Sequence, residues 1–259
     1  MVVFDRGRHM RTMKELVPLY AKERLNTLDL NFCEMMNPVS ELNSRESSKV
    51  YIETLERYKS ELGVEYVQCH LPYQMKGQSL EKLNDDIFLA LEYVEKLGIP
   101  VSVIHPIKGN IEDNIAYFES LKGHIPTSTT LAIENMESFE EIYSIEELIS
   151  ILKGLSYDAG ICLDTGHANI TKVDIPLFIE NAGDKLLATH IADNNGREDQ
   201  HLLPGFGNIE WEKIIPEFRK HYKGYLNYEV MFFSRNVPES LSGEIIELAK
   251  SIGSWLLSL

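Results

Sequence analysis

Apolar and polar positions along the chain follow two periods in regular alternation. Short runs with β-strand character fall at 27–32 (TLDLNF), 64–70 (VEYVQCH), 100–105, 129–134, 160–164, 185–190 and 224–229. Between them, apolar residues recur at helical spacing over 10–24, 45–62, 79–97, 111–122, 145–153, near 174–182, and over 210–220 and 238–257. Gly63 and Gly98 stand where the second and third helices should stop, and Ser144 with Glu147 has the form of a capping box for the helix at 145–153. Residues 191–209 read as a loop. Counting the opening MVVF, eight strands alternate with helices. That order predicts an α/β fold, a (β/α)8 TIM barrel over residues 1–259 as one domain, whose first strand is short or missing.

Composition narrows the functional classes. With 44% apolar residues in 259, one large core is expected. Lys and Arg number 25 against 40 Asp and Glu, a formal charge of -15, which opposes attraction to a polyanion and argues against nucleic acid as a partner on bulk electrostatics. The three cysteines, Cys33, Cys69 and Cys162, are odd in number and sit in or beside strand-like runs, as reduced core thiols do. MVVFDRGRHM has no signal-peptide apolar region and no apolar run has membrane-spanning length, so a cytoplasmic location with no membrane partner is expected.

The chemistry lies at the strand ends. His70, His105, Glu134, Asp164, His190 and Glu229 each close a strand-like run, at intervals of about 25 to 40 residues, and parallel α/β folds place their active sites at strand C-termini. In AGICLD, Cys162 and Asp164 share one face, and in TLAIE small Ala132 shares a face with Glu134, leaving the bulky face for the helices. A buried carboxylate is costly unless paired or coordinating. Glu134, Asp164, His190 and Glu229 therefore form an oxygen-rich ligand set that suits Mn²⁺ or Mg²⁺ and tolerates Zn²⁺ or Co²⁺. His167 in LDTGHAN and the pair Asp199 and His201 in REDQH lie in loops; an extended i, i+2 pair points the same way, so Asp199 and His201 can chelate together, with His167 completing their group. Five of the eight histidines are thereby placed, leaving His9, His124 and His221. Lys108 and Arg197 are candidate substrate contacts, either for a phosphate or as solvated loop residues. Trp211 reads as a helix-start packing residue, and Gly205 and Gly207 as turn formers.

These segments carry a resemblance. HIADNNGREDQHLLPGFGNIEW (190–211), with LAIEN, ICLDTGHAN and NYEV, resembles the sugar phosphate isomerase/epimerase family of xylose isomerase-like TIM barrels, a superfamily that also contains endonuclease IV. The resemblance runs from about residue 64 onward and implies one divalent metal on Glu134, Asp164, His190 and Glu229, with the two glutamates as acid/base groups. Endonuclease IV implies three zinc ions instead: one on His70, His105 and Glu134, a second on Glu134, Asp164, His190 and Glu229, and a third on His167, Asp199 and His201. Every position holds the required residue type, so one to three ions are expected. The leading reading is a metal-dependent isomerase or epimerase of a small sugar or sugar phosphate, with proton transfer by Glu134 and Glu229 through an enediolate. The alternatives are a zinc phosphoester hydrolase like endonuclease IV and a non-catalytic metal- or sugar-binding barrel. Self-association into a homo-oligomer stays open.

Overall fold

A computed structural model describes residues 2–4, 11–230, 233 and 237–259. His9 and the first residue of the helix expected over 10–24 lie outside the described residues. Eight parallel strands form the fold's inner wall: β1 (Val2–Phe4), β2 (Thr27–Asn31), β3 (Glu65–His70), β4 (Val101–Ile104), β5 (Thr130–Glu134), β6 (Gly160–Asp164), β7 (Leu186–His190) and β8 (Asn227–Glu229). The surrounding helices are α1 (Met13–Lys22), α2 (Arg45–Glu61), α3 (Leu80–Leu97), α4 (Ile111–Leu121), α5 (Ile145–Gly154), α6 (Thr165–Ile170), α7 (Ile175–Ala182), α8 (Trp211–His221) and α9 (Ser242–Leu256). Strands β2 to β7 make one sheet in sequence order, and β1 pairs with β8. Closure comes from two contacts. Ile191, just past β7, bridges Tyr228, with Ile191 N donating to Asn227 O at 2.6 Å and Glu229 N to Ile191 O at 3.1 Å, while β1 packs beside β2. The molecule is a (β/α)8 TIM barrel with a short first strand of three residues.

Small inward-facing side chains make room for polar groups above them. Val103, Ala132, Cys162 and Ala188, from four adjacent strands, pack as a separate cluster inside the barrel, whereas Leu131, Ile133, Ile161 and Leu163 face the helices in the main core. The register slips by one residue between β2 and β3 and between β6 and β7, where Val67 and Leu187 have no partner. Such bulges reorient the residues that follow them. Gly160 permits the second, since a Cβ there would meet Leu187 Cγ at 2.4 Å and the Lys185 carbonyl at 2.7 Å. The helix signals are met: Ser144 and Glu147 form a capping box, Ser79 caps α3, and Gly98 ends that helix at φ +63°. All three cysteines are buried free thiols.

Four features depart from the periodicity. Strand β8 begins at Asn227 rather than 224, because the Tyr225 carbonyl accepts from the hydroxyls of Thr189 (2.9 Å) and Tyr222 (2.9 Å) instead of joining the ladder. Single 3-10 turns occupy Phe32–Met36 and Glu41–Asn43. A six-residue helix, α6, starts directly at the end of β6, too short to show apolar periodicity. The 191–209 loop is folded on itself through an antiparallel bridge between Asp193 and Leu202.

That loop is organised by one buried carboxylate. Asp193 accepts from Asn194 N (2.9 Å) and Ile209 N (3.2 Å) on Oδ1, and from Gly205 N (2.9 Å) and Trp211 Nε1 (3.0 Å) on Oδ2. Gly207 presses so close that a Cβ would lie 2.2 Å from Asp193 Oδ1. Trp211, the first residue of α8, is fully buried, as expected of a packing residue, and also supplies a hydrogen bond. Replacing Trp211 by Phe keeps most of the packing but removes a donor to a charged acceptor. The expected loss is about 1.5–3 kcal/mol in urea unfolding, with Trp211→Leu costing more.

Candidate metal centre

Strand ends and the turns after them bring nine predicted ligands to one end of the barrel. Glu134 has no solvent exposure. Its Oε1 lies 2.9 Å from His190 Nδ1 and 3.7 Å from His167 Nδ1, and its Oε2 lies 3.2 Å from His105 Nε2 and 3.4 Å from His70 Nε2. Glu229 Oε2, arriving from β8, is 3.1 Å from the same His190 Nδ1. Ligand atoms of Glu134, Asp164, His190 and Glu229 all fall within 4.8 Å of one another, as do those of His70, His105 and Glu134. Neighbouring donors around an ion at 2.0–2.2 Å are about 3 Å apart, the spacing that His190 keeps to both glutamates.

The third predicted group is looser. Asp199 Oδ2 is 2.6 Å from His201 Nε2 but 3.8 Å from His167 Nε2, and the trio is not among the groups gathered within 4.8 Å. Asp199 and His201 do face the same point, yet the extended geometry expected for them is absent: His201 has φ +47°, a left-handed conformation uncommon outside glycine. His201 Nδ1–H donates to the Glu229 carbonyl at 2.9 Å, which holds it there. His167 is likewise in a helix rather than a loop. Asp164 caps α6 by accepting from His167 N at 2.7 Å, and one turn of helix carries His167 over the site.

Partners behind the rings set which nitrogen faces inward. His70 donates Nδ1–H to Leu71 O (2.7 Å) and His167 donates to Asn135 O (2.8 Å), so in both, as in His201, Nε2 is the nitrogen turned toward the site. His190 is reversed. Its Nε2 faces Asp29 Oδ2 at 3.7 Å, Asp29 being held by Gln68 Nε2 at 2.5 Å, and its Nδ1 points to the glutamates. Asn135 clamps two strand ends, accepting from Asp164 N at 2.8 Å and donating to Asp164 O at 3.1 Å. Asp29, Gln68 and Asn135 were not singled out from sequence. Asp29 alternates with Asn31 inside an otherwise apolar strand, and that was its available signal.

Electrostatics and unsatisfied atoms fit a divalent cation. Burial opposes the charge of Glu134 and Glu229, yet His190 and His105 hold Glu134, and His190 and His201 hold Glu229, well below the usual carboxylate range. Asp164 goes the other way: burial, reinforced by the Glu229 and Glu134 charges against His167, pushes its carboxyl up to about 8. Among the described residues, buried oxygens without a hydrogen bond include Glu134 Oε2, Asp164 Oδ2 and Asp199 Oδ1, all on predicted ligands. The nitrogens His70 Nε2 and His105 Nε2 meet at 3.0 Å, a contact that needs a proton or a cation between two lone pairs. Residues and charge pattern suit the ion. Cys162, placed in the core by sequence, also comes within 4.8 Å of the Glu134 and His190 ligand atoms.

Above the ligands a cavity of about 1060 Å³ opens to solvent. Asn31, His70, His105, Glu134, His167, Asp199, His201 and Glu229 form its inner lining, while Asp164 and His190 lie buried beneath it. Tyr73 stacks on His105 with ring centroids 5.0 Å apart. Lys108 lines the cavity with Nζ 4.0 Å from Glu141. The structure does not bring Arg197 to it: that side chain is exposed, and its backbone N–H donates to Asn195 Oδ1 at 2.9 Å.

Barrel topology and a strand-end ligand cluster define a class of metal-site TIM barrels. Residues 23–252 match the xylose isomerase-like TIM barrel family, and the chain belongs to it. The uncharacterized protein y4fM of Sinorhizobium fredii is 27% identical over 226 residues, which cover 82% of this chain and 68% of that protein. Fructoselysine 3-epimerase of Escherichia coli O157:H7 is 26% identical over a shorter stretch, 29% of this chain and 28% of the epimerase. Among solved structures, the IOLI protein with a bound zinc atom superposes with TM-score 0.78 at 15% identity, covering 99% of this chain and 98% of that one. D-psicose 3-epimerase with D-tagatose, from Clostridium cellulolyticum H10, gives TM-score 0.76 at 15% identity with the same coverage.

Adding Mn²⁺ or Zn²⁺ to chelated protein is expected to raise its thermal midpoint. Saturation at 100 times Kd corresponds to about 2.7 kcal/mol. Ligands bind the ion deprotonated, so apparent affinity should climb as pH rises toward and through the Asp164 value of about 8. Asp164→Asn should stay folded by circular dichroism and lose most bound metal by elemental analysis; full occupancy in that variant would remove Asp164 from the ligand set.

Proposed function

We propose that this chain is a divalent-metal-dependent isomerase or epimerase of a sugar, with Glu134 and Glu229 as its acid/base pair and Glu134, Asp164, His190 and Glu229 as the principal metal ligands. The observation that carries the reading is that Glu134 and Glu229, on β5 and β8, flank the β7 residue His190 and both approach its Nδ1 within 3.1 Å, at the floor of an open cavity. A divalent cation held by these four residues would supply Lewis-acid chemistry, acidifying the C–H of a hydroxy-carbonyl substrate. Because their imidazole neighbours keep both glutamates ionised, either can accept that proton. Return of the proton to the neighbouring carbon by the same carboxylate is isomerisation. Delivery to the opposite face by the second, which takes a proton from solvent while the first releases its own there, is epimerisation. His70, His105 and His201 line the same floor.

The fold shared with D-psicose 3-epimerase and the local similarity to fructoselysine 3-epimerase support the sugar class. Phosphoester hydrolysis on three zinc ions is less well supported, since His167, Asp199 and His201 do not gather as the other groups do and the net charge of -15 opposes DNA. Among the described residues, no helix is long and apolar enough to cross a membrane.

Given a ketose in deuterated water, the metal-loaded protein should place deuterium on the carbon next to the carbonyl. Glu229→Gln, with occupancy verified in the same sample, should reduce exchange and turnover together by about 10² or more; undiminished turnover would eliminate the residue's role. A nicking assay on duplex DNA with an abasic site should give no metal-dependent incision, and efficient incision would transfer the site to the hydrolase reading.

A further inference from the structure

The cavity is lopsided, and the asymmetry bears on what it binds. Among the described residues, those that line it from the end of β6 onward are all predicted ligands: His167, Asp199, His201 and Glu229. The opposite wall, built by the segments after β2 to β5, carries apolar side chains among polar ones such as Asn37 and Gln74. It presents Met36, Tyr73, Met75, Leu80, Ile107 and Met136. Tyr73, Met75 and Leu80 remain 39%, 43% and 41% exposed, so this wall is open apolar surface facing the site rather than core. Methionine side chains suit an irregular apolar partner.

The wall is also held in shape. Gly77 turns the chain at φ +83°, Gln78 Oε1 accepts from Met75 N at 3.0 Å, and Gln78 Nε2 donates to Asp86 Oδ2 on α3 at 3.1 Å. Tyr73 in turn lies flat against His105. The cavity's volume, about 1060 Å³, matches the upper range of pockets that enclose drug-sized ligands, more than a free six-carbon sugar fills. The outer charges balance: Lys76 and Lys108 are countered by Glu137 and Glu141, with Lys108 4.0 Å from Glu141. Among the described residues, the rim has no surplus positive charge for a phosphate, which calls for convergent cationic donors.

We propose that the substrate has two parts, a hydroxy-carbonyl sugar end on the ligand floor and an uncharged apolar substituent lying along Met36, Tyr73, Met75 and Leu80. This rests on the sugar reading above, and it excludes both a free monosaccharide and a sugar phosphate as the preferred ligand. The substituent covers apolar surface while the sugar end keeps its polar contacts.

The test uses three probes that differ only at C6: D-fructose, D-fructose 6-phosphate and 6-O-benzyl-D-fructose. Calorimetric affinity for the metal-loaded protein is measured in parallel with deuterium incorporation. The benzyl ether should bind at least tenfold more tightly than either other probe, since about 60 Å² of buried apolar surface at about 25 cal/mol per Å² gives that factor. In Met75→Ser/Leu80→Ser the ratio of benzyl ether to fructose affinity should fall toward one. A benzyl ether no tighter than fructose, a tightest 6-phosphate, a ratio that survives in the double variant, or binding of none of the three would overturn the proposal. A variant-sensitive benzyl advantage without deuterium exchange for any probe would instead retain the two-part site and reject the isomerase reading.

Discussion

Glu134 is a carboxylate with no exposure to solvent, and the arrangement around it follows from the cost of that burial. An isolated ionised carboxylate inside a protein would neutralise or destabilise the fold. Here imidazoles approach both of its oxygens, two on each. Those rings come from β3, the turn after β4, α6 and β7, so satisfying one side chain ties down most of the circumference. The neighbouring residue extends the same logic: Asn135 bonds both backbone groups of Asp164 and so fixes the spacing of two carboxylates that would otherwise repel. Ala132, directly below Glu134 on the inward face, leaves the volume that this crowd of polar groups requires.

Much of this was legible because it depends on the period of two. Strand-end position and inward direction follow from alternation, so Glu134, Asp164 and His190 could be read as convergent from TLAIE, AGICLD and KLLATH alone. Where the backbone leaves that period, legibility fails. His201 reaches Asp199 through a left-handed residue, which no extended-chain argument anticipates, and His167 is delivered by a helix too short to leave a pattern. The clipped start of β8 was hidden for a related reason, since side-chain hydroxyls replace ladder bonds that the apolar run seemed to promise.

The tertiary partners were the least legible. Asp29 reads as one acid in a strand, and only the closed barrel puts it behind His190 with Gln68 as its support. Arg197 shows the converse. It stands two residues before Asp199 in sequence, but its backbone is bonded to Asn195 and its side chain is turned to solvent. Nearness along a folded-back loop carries no information about which side chains face the cavity.

His70, His167 and His201 each donate a ring N–H to a backbone carbonyl at 2.7–2.9 Å. Ordering a side chain costs up to about 2 kcal/mol in lost rotamer freedom, and backbone bonds of this kind place that loss in folding rather than in the binding of an ion. Capture of an ion would then need little searching by the ligands, and the three accepting carbonyls, on Leu71, Asn135 and Glu229, lie within or next to strand-end residues of the barrel itself. Ion affinity and barrel integrity would thus be one property seen from two sides: a substitution that shifts those peptide planes, even without touching a ligand, would loosen the hold on an ion.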